Sequence, residues 1–223
     1  TRSGVCACLK QYYAREQLAE LSRLLPLGED SFETFSFDWY DSTVQPAFGV
    51  SPRENMERNF DVCRDYAYQF DRGGGNLLLS GGTGLGKTFL SACIARVVSE
   101  NGFSVVYDTA ASVFSRFEDA KFRRDDGGSE DADRCMKCDL LILDDLGTEM
   151  TTAFVQSALY QIVNGRLMEK RATIISTNLT HEQVQRRYED RIVSRLFATY
   201  TGLHFVGTDV RLQKAKKAAQ QNV

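Results

Sequence analysis

Eight consecutive residues carry the clearest chemistry in this sequence: Gly81-Gly82-Thr83-Gly84-Leu85-Gly86-Lys87-Thr88. Small residues let successive backbone N–H groups turn inward around a phosphate. A lysine late in such a run can reach the outer phosphates, and the hydroxyl after it can ligate a magnesium ion. The run follows an apolar stretch at 76–80 and opens a helical pattern, so the positive end of a helix dipole would add to the anion site. That placement distinguishes a phosphate loop (P-loop) from a chance glycine-rich turn. Lys87 is expected on the β- and γ-phosphates, Thr88 on Mg²⁺, and the whole run, with Phe89 after it, around the nucleotide.

A magnesium-bound nucleotide also needs a carboxylate at the end of a neighbouring strand. Leu140-Leu141-Ile142-Leu143-Asp144-Asp145 supplies one. An apolar strand ending in two acids is costly to bury unless a cation or hydrogen-bond donors await them. Asp144 is read as the Mg²⁺-shell residue. Asp145 stands where such ATPases usually carry the glutamate that polarises the attacking water, and its shorter side chain implies slow hydrolysis; the alternative is that it only caps the turn at Leu146-Gly147. The stretch between Lys87 and Asp144 exceeds a single β-α-β step, so another strand must intervene, which marks the additional-strand (AAA+) class. With no Asn-Lys-x-Asp or Thr-Lys-x-Asp guanine signature, ATP is the expected nucleotide.

The elements that must hold these residues can be read from period and punctuation. Ser51-Pro52-Arg53-Glu54 is a helix start, with Ser51 as cap, Pro52 in the first turn and Glu54 completing a capping box. That helix is expected to run to about 70, and Gly73-Gly74-Gly75 breaks the chain before the next strand. Strands are expected over 76–80, 104–107, 139–143, 172–176 and 203–206. Helices are expected to end near 101–102, over 110–122, over 152–170, and after a capping box at Thr180-His181-Glu182-Gln183. Strands alternating with helices predict an α/β fold: a parallel five-stranded sheet with helices on both faces and little or no C-terminal lid. Phe32, Phe35, Phe37, Trp39 and Tyr40 have near-alternate spacing, which suits an extended strap packed on a core.

With 223 residues, 43% of them hydrophobic and 26% charged, one core with some decoration is expected. No apolar run approaches the roughly 20 residues of a membrane span, and no signal peptide is visible. Cys6, Cys8, Cys63, Cys93, Cys135 and Cys138 read as thiols or metal ligands of a reducing cytoplasm. A net charge of −3 excludes a global basic field, so any nucleic-acid contact must come from a local patch. The chain starts at Thr1 and is expected to be part of something longer. It divides into 1–30, a remnant of a preceding unit, an ATPase domain over 31–213, and a basic tail over 214–223.

Five segments carry a resemblance: Ser51-Pro52-Arg53-Glu54-Asn55-Met56, the run from Leu140 to Gly147, the run from Thr173 to Asn178, Arg191-Ile192-Val193-Ser194-Arg195-Leu196, and Gly207-Thr208-Asp209-Val210-Arg211. Together they resemble the DnaC/DnaI helicase loaders and their IstB-type transposon-helper relatives over roughly 31–214, with the DnaI-like proteins of Gram-positive bacteria and their phages most similar. The resemblance implies Asn178 as the sensor that holds the attacking water or γ-phosphate, Arg195 as an arginine finger serving a neighbouring subunit, and Arg211 as a second sensor. Arg187, Arg191 and Arg195 recur at i+4 and would share one helix face.

It further implies that a helical insert over 110–134 meets single-stranded DNA. There Lys121-Phe122-Arg123-Arg124 sets an aromatic between cations, a pairing that could stack on a base and hold a phosphate, although the acids that follow repel the backbone. Cys6 and Cys8 look like two of four zinc ligands of a fuller N-terminal region; Cys135 and Cys138 are read as structural thiols. The expected partners are ATP, a replicative helicase gripped through the upstream region, single-stranded DNA, and further copies of the chain assembled by ATP. A transposase helper that binds duplex DNA, or a nucleotide-binding scaffold without turnover, are the alternatives.

Overall fold

The computed structural model describes residues 31–71, 73–122 and 126–221. Cys6, Cys8, Arg123 and Arg124 lie outside the described residues, as does the whole of 1–30.

The chain enters through bends and a 3-10 turn at Phe37–Trp39, not the extended strap that the alternating aromatics suggest. The turned path lets several rings meet one another: Phe35 stacks on Tyr40 at 5.9 Å and meets Phe89 edge-on at 5.3 Å. Helix α1 is Pro52–Tyr68, capped by Ser51, whose Oγ accepts from the Glu54 N–H at 3.1 Å. The capping box is only half made, because the Glu54 carboxylate pairs with Arg58 one turn on.

There follow β1 (Asn76–Gly81), α2 (Lys87–Glu100), β2 (Val105–Thr109), α3 (Ala110–Phe122), α4 (Asp126–Lys137), β3 (Leu140–Leu146), α5 (Ala153–Met168) and β4 (Ala172–Thr177). The chain closes with α6 (His181–Arg187), α7 (Asp190–Thr199), β5 (Tyr200–Phe205) and α8 (Val210–Gln221). The charged segment before β3 is helical from Asp126 despite Gly127 and Gly128, and α8 runs unbroken across 213–214, so residues 214–221 continue a helix. Among the described residues, no helix is long and apolar enough to cross a membrane.

The five strands lie parallel in the order β2-β3-β4-β1-β5. β4 separates β1 from β3, so the C-terminal ends of these three central strands, and the loops that leave them, lie side by side. One core cluster fills the side of α1 and α2 with Met56, Leu90, Ile94, Leu79 and Ile142. The other fills the side of α3, α5 and α7 with Val113, Leu159, Ile162, Leu141 and Leu196. Burial on both faces explains the nearly continuous apolar runs of β1, β3 and β4. Asn55 and Asn59 of α1 donate to the His204 carbonyl at 2.9 Å, fastening that helix to the edge strand β5.

Candidate nucleotide site

The polar centre of the site is placed by the ends of β1, β3 and β4. The loop after β1 needs glycine at two positions for packing as well as for ligand access. Gly81 has φ +135°, and a Cβ there would lie 2.3 Å from the Phe205 carbonyl oxygen; Gly84 has φ +70°, and its Cβ would lie 1.9 Å from Asp209 Oδ1. The Val210 N–H donates to the Gly84 carbonyl at 2.9 Å, so the start of α8 is attached to the loop. Gly86 precedes α2 without a side-chain cap, leaving the first-turn N–H groups of that helix for an anion.

Lys87 is 4% exposed. Its Nζ donates to the Gly81 and Gly82 carbonyls and to Asn178 Oδ1, each at 2.7 Å. Burial pushes its pKa down from 10.5 to about 8, against the pull of Asp145 and Asp144. A desolvated ammonium whose hydrogen-bond acceptors are all neutral gains from an arriving polyanion, and this is the observation by which a nucleotide fits.

At the end of β3 the pairing with β4 shifts between Leu143 and Leu146, and Asp145 takes a left-handed φ of +55°. Such a bulge re-aims side chains. Asp144 turns inward, 4% exposed, and its Oδ2 accepts from Thr88 Oγ1 at 3.0 Å. Asp145 faces the cleft, where its Oδ1 accepts from Asn178 Nδ2 at 3.3 Å, and its N–H donates to Ser176 Oγ at 3.0 Å. A hydroxyl beside a carboxylate is a hard-oxygen donor set that suits Mg²⁺, and Thr88 with Asp144 would hold it.

The cleft has a volume of about 360 Å³ and is lined by Thr83, Gly84, Leu85, Gly86, Lys87, Thr88, Phe89, Asp145, Asn178 and Arg211. Gly81 and Gly82 contribute carbonyls to Lys87 from below. Thr34, Phe35, Ser36, Trp39, Tyr40, Val210 and Lys214 also line it; of these, the sequence assigned Phe35, Trp39 and Tyr40 to packing and Lys214 to a tail. Tyr40 does both, donating from its buried hydroxyl to the Leu85 carbonyl at 3.2 Å. Lys214 and Lys217 stand 5.6 and 5.2 Å from the Trp39 ring centroid, and Gln213 Nε2 donates to the Trp39 carbonyl at 3.1 Å. Aromatic density ahead of the capped α1 was the available signal. Its spacing alone could not separate a core face from a cleft wall.

The structure does not bring Arg195 into this cleft. Its Nε donates to Asn164 Oδ1 at 2.8 Å and its Nη2 to Tyr160 Oη at 3.1 Å, while Arg191 and Arg195 lie 4.4 and 4.7 Å from the Tyr160 ring centroid. Arg187 does not share a helix face with Arg191 and Arg195: α6 ends at Arg187, and extended residues Tyr188 and Glu189 precede α7. Arg187 donates instead to the Glu149 carbonyl, and Tyr188 Oη to the buried Glu149 carboxylate. Lys121 stands 5.4 Å from the Phe154 ring centroid, and Phe122 is the last residue of α3. Cys135 and Cys138 are buried thiols before β3.

A family model described as IstB-like ATP binding protein matches residues 62–218. The replicative helicase loader DnaC of Escherichia coli (strain K12) is 30% identical over 145 residues, covering 64% of this chain and 58% of that protein. The chain therefore spans less than two thirds of the length of that relative. A crystal structure of the DnaC helicase loader matches with TM-score 0.67 and 18% identity over 81% of this chain and 99% of the other. AMPPCP-bound DnaA from Aquifex aeolicus matches with TM-score 0.62 and 20% identity over 89% and 56%. At such identities these two speak to the fold, that of the AAA+ P-loop ATPases.

Proposed function

This chain belongs to the IstB-like ATP-binding protein family, and we propose that it is an ATP-switched loader of a replicative helicase onto single-stranded DNA. One observation carries the mechanism. A single chain gathers Lys87, Thr88, Asp144, Asp145, Asn178 and Arg211 about one cleft, while Arg195 is held outside it by Tyr160 and Asn164. Such a division gives binding to one subunit and completion of the site to the next, so that ATP serves as the joint of an assembly. The name of the E. coli relative, replicative helicase loader, supports the choice of cargo.

In this reading Lys87 leaves Asn178 for the β- and γ-phosphates, and the α2 N-terminus supplies further N–H donors. Mg²⁺, when bound, supplies charge neutralisation on the phosphate oxygens. Asn178 and Asp145, already hydrogen-bonded to each other, orient a water toward the γ-phosphorus, and Asp145 takes its proton as the β–γ bridging bond breaks to leave ADP and phosphate. Phe35, Trp39 and Val210 offer an apolar wall for the base. Arg211, 3.8 Å from Asp209 and mostly exposed, is free to swing onto the phosphates.

Arg195→Ala tests the division. It is expected to retain ATP affinity yet lose ATP-dependent assembly and partner-stimulated hydrolysis, by about 10³-fold or more if Arg195 acts as fingers do in other NTPases. Mixing it with Lys87→Ala should restore activity, since each supplies what the other lacks. Two inactive proteins that stay inactive on mixing would count against action in trans. ATP-dependent placement of a replicative helicase on circular single-stranded DNA tests the cargo, and delivery of duplex DNA to a transposase instead would favour the helper role.

A further inference from the structure

A buried carboxylate must find donors, and the identity of those donors decides how much charge it keeps for a metal. Asp144 Oδ2 accepts from Tyr107 Oη at 2.8 Å and from Thr88 Oγ1 at 3.0 Å, while Oδ1 accepts from Ser176 Oγ. All three donors are neutral hydroxyls. An arginine or lysine in their place would fix the carboxylate equally well but would offset the charge a dication needs.

The three hydroxyls are not equivalent. Thr88 lines the cleft, and its hydroxyl is shared: the O–H donates to Asp144 while the oxygen lone pairs remain for a cation. Ser176 is committed to the other oxygen and also accepts from the Asp145 N–H. Tyr107 is 3% exposed, locked by packing in the core cluster on the α1 and α2 side of the sheet. It lies on β2, whose register sets Tyr107 opposite Ile142 and Thr109 opposite Asp144, so the long phenol reaches along the sheet to the carboxylate.

We infer that Tyr107 is a positioning residue for the Mg²⁺ site: its phenol anchors Asp144 Oδ2 without neutralising it, and so holds the carboxylate in register with the Thr88 hydroxyl for the cation. The inference rests on the proposed assignment of Asp144 to the Mg²⁺ shell. Without the phenol, Oδ2 keeps Thr88 as its donor but loses the packed one that fixes the orientation of the carboxylate.

The test is a titration of Mg²⁺ against binding of a fluorescent ATP analogue to wild type, Tyr107→Phe, Ser176→Ala and Asp144→Asn. Groups that orient metal ligands typically alter metal affinity by about 10- to 100-fold, so the Mg²⁺ midpoint of Tyr107→Phe should rise by roughly tenfold or more. Binding in EDTA should change by less than about twofold, a split along the metal axis that a mere core filler would not produce. Ser176→Ala, which frees the other oxygen, should move the midpoint in the same direction and gives a second readout if the phenylalanine variant folds poorly. A wild-type midpoint in Tyr107→Phe would overturn the inference. An unchanged midpoint in Asp144→Asn would instead remove the assignment on which it rests, and the inference with it.

Discussion

Lys87 and Arg166 are both buried cations, 4% and 0% exposed, and among the described residues neither has a carboxylate as a hydrogen-bond acceptor. Arg166 of α5 donates to the carbonyls of Cys135 at 2.7 Å, Cys138 at 3.1 Å and Ala172 at 2.6 Å, and to Thr173 Oγ1 at 3.0 Å. It thereby closes the last turn of α4 and ties it to the starts of β3 and β4. Lys87 opens on the cleft and can exchange its carbonyls for phosphates, whereas Arg166 is enclosed by what it binds. Burial of a cation therefore does not by itself mark a ligand site. Access to a cavity does.

The contrast breaks first, and most visibly, on stability. Arg166→Met should cost about 3 to 5 kcal/mol, because it leaves several buried carbonyls without donors at once. Lys87→Met should cost little or stabilise, since it removes a desolvated charge. Urea unfolding followed by circular dichroism would show both, and a loss under about 1 kcal/mol for Arg166→Met would remove the clamp.

On ligand affinity the order should reverse. Lys87→Ala should weaken ATP binding by about 100-fold, or about 2.7 kcal/mol, in calorimetric titration with a non-hydrolysable analogue. Affinity within a factor of two of wild type would sink the phosphate-loop assignment. Arg166→Lys, which keeps a cation in the clamp, should leave affinity unchanged wherever the variant is folded.

The smallest effect is on pH. In the free chain Lys87 loses its proton near pH 8, and phosphates bind its ammonium form. Affinity should be flat below that value and fall above it, by at most about tenfold per pH unit while the bound state keeps its proton. Lys87→Arg should flatten the profile, because a guanidinium stays protonated throughout. A wild-type affinity constant from pH 7 to 9 would contradict the depressed pKa.

Much of the site was legible before any coordinates, for a definite reason. The loop from Gly81 to Thr88 is contiguous because its backbone must wrap one anion. Asp144 and Asp145 announce themselves as acids ending an apolar strand. Asn178 and Arg195 needed the family resemblance, since one amide or one arginine carries no spacing signal of its own. The break between α6 and α7 was missed because an i+4 recurrence of arginines continues across Tyr188 and Glu189 as though the helix did.

The sequence by itself determined the strands of the sheet, most of the helices, and which loop is built to wrap an anion, because period, caps and a contiguous loop are local properties. Only the tertiary structure decided that β4 lies between β1 and β3, which sets Asn178 against Lys87, and that β2 lies beside β3, which sets Tyr107 against Asp144. Trp39 under α8 and Arg166 among the carbonyls of 135–138 and Ala172 follow from the same cause. Their partners are distant in the chain, and no local pattern records a contact that exists only once strands have been ordered and helices laid across them.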